Sequence, residues 1–122
     1  MAIAQRLVQA GLSAVQAAAI AGTVADNLTA TGSTQGGGLP LGADTNRFTT
    51  VAANTGAILP AMNPGDSIEV INVGANALKL YPPVGGQING LGANAAYSIA
   101  TATPYCTITA TSPTQYHSFQ SA

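Results

Sequence analysis

From Arg47 onward the chain is cut by turn signals at short intervals, and this constrains the fold more than any other feature. Asn63-Pro64-Gly65-Asp66 is a turn, Gly74-Ala75-Asn76 a loop, Pro82-Pro83 a stop and Asn89-Gly90 a tight turn. Gly and Asn accept positive φ at low cost, and proline cannot donate to a strand ladder. The intervening pieces are short and read as strands at 48–53, 57–59, 67–73, 77–81, 97–100, 105–111 and 115–119. Ile68 alternates with Val70, and Leu78 with Leu80, leaving Glu69 and Lys79 on the opposite faces. Pairing across the Gly74 loop would bring Glu69 near Lys79, a surface contact worth little. The expected fold is mainly β, a small antiparallel β-sandwich or barrel over residues 47–122.

Two further segments precede this domain. Residues 1–28 predict two short helices. Ile3, Leu7 and Ala10 share one face, and Gly11 ends the first helix. Ser13 and Gln16 form a capping box that starts the second, in which each residue satisfies an orphan backbone donor of the other. Helices this short are not stable alone, so the segment must dock. Ile3, Leu7, Leu12, Val15, Ile20 and Val24 are its expected docking or subunit-interface residues. Arg6 and Ala19-Ile20-Ala21 mimic a secretory signal, but Gln9, Gly11, Ser13 and Gln16 interrupt the apolar run. The same interruptions leave no span long enough for a membrane helix, and no membrane partner is expected. Residues 29–46, with Thr29, Thr31, Ser33, Thr34 and Gly36-Gly37-Gly38, predict a flexible or extended Gly/Thr-rich linker or arm.

Charge narrows the function. The 122 residues carry three basic and four acidic side chains, 6% of the chain, against roughly 25% in an average soluble domain. A surface this neutral repels its neighbours weakly, which favours self-assembly into a homo-oligomer. It also argues against nucleic acid, because Arg6, Arg47 and Lys79 are too few and too scattered to neutralise phosphates.

No motif specifies catalysis, a cofactor or a metal. Cys106 is the single cysteine, flanked by Tyr105 and Thr107, and predicts a buried apolar residue. His117 is the single histidine, so a histidine-rich metal site is excluded. Asp26, Asp44, Asp66 and Glu69 are scattered, without the facing pair that glycoside hydrolysis needs. The glycine-rich run Gly85–Gly92 lacks the lysine and the following helix of a phosphate loop. Tyr81, Tyr97, Tyr105 and Tyr116 are the candidate binding-face or interface aromatics, since tyrosine brings apolar area and a hydrogen bond at low entropic cost. At least half of them are expected to be packing residues.

The segment Ile71-Asn72-Val73-Gly74-Ala75-Asn76-Ala77-Leu78-Lys79-Leu80-Tyr81-Pro82-Pro83-Val84-Gly85-Gly86-Gln87-Ile88-Asn89-Gly90 resembles small structural proteins of tailed bacteriophages, of the head decoration, cement or head-fibre type. The pattern is a strand ending in Asn-x-Gly, a strand ending in Tyr-Pro-Pro, then Gly-Gly-x-Ile-Asn-Gly, with a later aromatic matched by Tyr116. The resemblance covers roughly residues 65–119. It implies a non-enzymatic protein on the capsid exterior of a virion, present as a homotrimer, with the major capsid protein as partner and capsomer contacts as what it stabilises. The alternative is a head- or tail-fibre module that binds a host receptor or glycan.

Overall fold

The structure, a computed structural model, describes residues 22–101 and 104–120. Among them strands dominate and no α-helix occurs. The strands are β1 (Val24–Thr29), β2 (Leu39–Pro40), β3 (Thr45–Thr50), β4 (Gly56–Ile58), β5 (Ser67–Asn72), β6 (Leu78–Tyr81), β7 (Gln87–Ile88), β8 (Tyr97–Ile99), β9 (Tyr105–Ser112) and β10 (Gln115–Gln120). They form a six-stranded sheet, ordered β1-β3-β5-β9-β10-β7, and a four-stranded sheet, ordered β2-β4-β6-β8.

The chain changes sheet after every strand from β1 to β8. Through β6, successive strands within one sheet run the same way, whereas β8 lies antiparallel on β6. β1 with β3, β3 with β5, β2 with β4 and β4 with β6 are all parallel. The first six strands wind as coils stacked on one another. Paired residues are 21 apart (Val24 with Thr45) and 24 apart (Thr45 with Glu69) in one sheet. In the other they are 18 apart (Leu39 with Ala57) and 23 apart (Ala57 with Leu80). The winding then stops. β9 lies antiparallel on β5, and β10 folds back on β9 as a hairpin. The wholly antiparallel sandwich expected from the sequence is thus corrected to two mixed sheets. Short alternating runs reveal strands, but they do not reveal which sheet the next one joins.

The Gly74 loop shows the physical reason. It is a corner between sheets rather than a hairpin, and the buried side chain of Asn72 holds it. Asn72 Nδ2 donates to the carbonyls of Asn76 (2.9 Å) and Ile99 (2.9 Å), and its Oδ1 accepts from Gly74 N–H (3.0 Å). Glu69 and Lys79 consequently sit on different sheets, and Glu69 accepts instead from Thr45 Oγ1 at 3.1 Å.

The N-terminal expectations divide. Residues 1–21, with Ile3, Leu7, Leu12, Val15 and Ile20, lie outside the described residues. The helix expected to continue through Val24 and Leu28 is corrected, because Val24–Thr29 is strand β1. Asn27, at φ 57°, makes a bulge there. The bulge lets Ala25 and Leu28 both turn inward, and Leu28 packs against the core. The linker reading of residues 29–46 is corrected as well. Ala30 and Leu41 are buried, and their backbone N–H groups pair with Thr50 and Ile58 carbonyls, both at 3.0 Å. A 3-10 turn at Gln35–Gly37 is capped by Thr34 Oγ1. Thr and Gly serve here as coil corners whose backbone is paired.

One apolar core fills the space between the sheets. Phe48, Val70, Ile108 and Tyr116 from the six-stranded sheet meet Ala57, Leu78, Leu80 and Ile99 from the four-stranded sheet, all nearly inaccessible. Each buried side chain of this size contributes roughly 1.5–3 kcal/mol.

Candidate interaction face

The alternation that sends these residues inward sends their neighbours outward, and among the described residues the outward face of the six-stranded sheet is broader than that of the four-stranded sheet. One cross-strand row runs Val24, Thr45, Glu69, Thr107, Phe119 over five strands. A second runs Arg47, Ile71, Tyr105, and a third Ser67, Thr109, His117. The face is mostly hydroxyl-bearing, with large apolar side chains gathered at one side. Phe119 is 73% exposed and Tyr105 57%, and Val73 is exposed where β5 ends. Glu69, Ile71, Tyr105, Cys106 and Thr107 line a shallow depression of about 90 Å3. Cys106 itself faces inward, and burial pushes its thiol up to about 11.

Charge on this face is confined to one side. Arg47 Nη1 lies 2.9 Å from Asp26 Oδ1. That guanidinium, helped by the N–H of Asn27, holds the Asp26 carboxyl below its ordinary range. Every charged residue of the chain lies before Leu80, so β9 and β10 carry none apart from the titratable His117. His117 Nε2 is 3.1 Å from Thr111 Oγ1.

A second exposed apolar feature is the loop that carries the sequence resemblance. Val84 is 83% exposed and Leu91 53%, and residues 80–122 contain no Asp, Glu, Lys or Arg. The backbone beneath the two tips is pinned. Gln35 Nε2 donates to the Pro82 carbonyl (2.8 Å) and to Asn94 Oδ1 (3.0 Å). Asn94 Oδ1 also accepts from Gly85 N–H at 2.7 Å, and Asn94 N–H donates to the Gly86 carbonyl at 2.9 Å. Most of the motif residues have structural work. A Cβ on Gly86 would lie 2.8 Å from the Tyr116 ring. Ile88 is fully buried. Asn89 clasps β10, donating to Ser118 Oγ (2.7 Å) and accepting from Ser118 N–H (3.0 Å).

The tyrosines separate accordingly. Tyr116 is buried, and its hydroxyl donates to the Pro113 carbonyl at 2.7 Å. Tyr81 is also buried, donating to the Ser33 carbonyl at 3.0 Å. Tyr97 packs half-buried against the core. Tyr105 is the one that stands on the exposed face. Val24, expected on a docking helix, stands on the same face from β1. Sequence reasoning missed Ile71, Phe119, Val84 and Leu91. Strand parity could have found the first two, since Ile71 follows inward Val70 and Phe119 lies three places after inward Tyr116. No periodicity marks the loop tips.

The acidic residues have local duties. Asp44 and Asp66 line one open cleft of about 320 Å3 with Met62 and Ile68. Asp44 Oδ2 accepts from Thr23 N–H at 2.9 Å, tying the start of β1 to the β3 entry, and Asp66 Oδ2 accepts from Asn63 N–H at 3.0 Å, closing a turn. Among the described residues no group of three or more His, Cys, Asp or Glu side chains is placed to hold a metal ion. No described helix is long and apolar enough to cross a membrane. Comparison with known proteins returns no match to any family model, curated protein or solved structure.

Proposed function

We propose that this chain is a non-enzymatic structural module of a tailed-phage virion, a decoration or cement protein that binds the assembled head from outside as a homo-oligomer. The observation that carries it is the pinned, charge-free loop that presents Val84 and Leu91 to solvent. An apolar tip on a rigid base loses little conformational entropy on docking, which is the economy a many-copy surface contact needs. The partner is the major capsid protein, and the mechanism is mass action. A module that binds only the closed lattice stabilises it by an amount set by concentration over Kd.

The test is co-sedimentation of the purified chain with heads that lack it, taken from the phage whose genome encodes it. Saturable binding is expected, with a loss of roughly ten-fold or more in affinity for a Val84→Ser/Leu91→Ser double variant. Unbound chain at saturating concentration, or a coding genome without virion genes, overturns the assignment. Saturable binding to host cells in the absence of heads would instead favour the fibre alternative.

A further inference from the structure

We propose that the outward face of the six-stranded sheet is a self-interface, on which a second copy of this chain packs face to face about a two-fold axis. This goes beyond the head-binding reading, which uses the loop, and does not depend on it.

The sheet edges leave little alternative route to self-association. An exposed strand edge is a template for another chain unless it is blunted. β1 is bulged at Asn27. β2 is two residues long and ends in Pro40, which has no N–H to offer. β7 has two residues and β8 three. Each terminal strand of both sheets is therefore short, bulged or proline-bearing, while the face between them is broad and open.

That face suits a copy of itself. Thr45, which donates to Glu69, and Ser67 and Thr109, which bond each other at 2.8 Å, keep acceptor lone pairs, and Thr107 adds a hydroxyl that both donates and accepts, so the face can hydrogen-bond to its own duplicate. Tyr105 and Phe119 are diagonal neighbours on β9 and β10. With Ile71 and Val73 they supply an aromatic and aliphatic centre of the kind that anchors interfaces. Charge near the middle is limited to Glu69 on β5, because β9 and β10 contribute no Asp, Glu, Lys or Arg.

The area agrees with a reversible contact. Strands of six residues at about 3.3 Å each, across five strands about 4.8 Å apart, give a face of roughly 20 by 24 Å. Two such faces bury about 1,000 Å2 together, near the lower limit for a specific interface. The pair should therefore dissociate on dilution. A trimer ring would instead join two different patches on each subunit, and the single flat face favours a two-fold pair.

The experiment is sedimentation equilibrium of the full chain over a wide concentration range, without particles. A monomer–dimer equilibrium is expected. Tyr105→Ser/Phe119→Ser should weaken it more than about ten-fold while leaving the far-ultraviolet circular dichroism unchanged. Thr107→Glu, which sets a second carboxylate beside Glu69 on the face, should do the same by like-charge repulsion. Val84→Ser should leave the dimer intact, which keeps failure here distinct from failure of head binding. A monomer at every concentration, or an oligomer indifferent to the Tyr105/Phe119 and Thr107 changes, overturns the proposal.

Discussion

The two halves of the molecule are held by different means. In the coiled half, through β6, each strand pairs with a partner 18 to 24 residues away, and buried polar side chains such as Asn72 at the corners keep the winding in register. In the half from Pro82 onward, β8 and β9 turn antiparallel onto β6 and β5, and β10 closes on β9 through a two-residue connection. All seven charged residues belong to the chain up to Lys79. The contrast suggests a division of labour: the first half builds a rigid body, and the second lays an uncharged contact surface along it.

The largest test of that contrast is Asn72→Ala. It orphans two carbonyls and one N–H at a buried corner, each worth roughly 1–3 kcal/mol when left unsatisfied and desolvated. With some of those groups reaching water, a net loss of about 3 kcal/mol is expected in urea denaturation. An unchanged midpoint would mean that the corner does not hold the coils. Gly86→Ala probes the other half. Its Cβ would press on the Tyr116 ring, and overpacking of this kind costs about 1–3 kcal/mol. The cost should shrink when Tyr116→Leu is made in the same chain, and equal costs in both backgrounds would show that the ring is not what resists.

The smallest effect is expected from Asp26→Asn at the exposed Arg47 pair. The carboxyl is depressed in the folded state, so its contribution is present above the ordinary carboxylate range and is lost as pH falls through the folded value. Exposure and screening keep it small. Melting temperatures of the two proteins should coincide in high salt and at low pH, differing only slightly near neutrality in low salt. A large difference that persists in high salt would show that β1 depends on this pair.

The same contrast explains what could be read from the sequence. β5 and β9 alternate clearly and β6 and β10 lie between strong turn signals, and the expected strands match all four within a residue or two. β1 escaped because the bulge at Asn27 breaks its parity, and β2 and β7 because two residues cannot display a period. The Gly74 loop reads as a hairpin since its composition suits any tight reversal. The decisive element is Asn72, whose burial follows from the tertiary structure and not from local pattern. Tyr105 was named as a candidate aromatic, but so were Tyr81 and Tyr116, and only packing separates an exposed tyrosine from a buried one.

The winding also bears on how the chain is made. Each coil needs only the coil before it, so strands emerging from a ribosome can stack in order as they appear, without waiting for the C-terminus. The β9–β10 hairpin is the exception. By turning antiparallel on β5 it ends the repeat, and it arrives last. The number of coils beneath that lid is in principle adjustable, and a lineage or a designer could lengthen the body by one turn of about 22 residues while leaving the closing hairpin untouched.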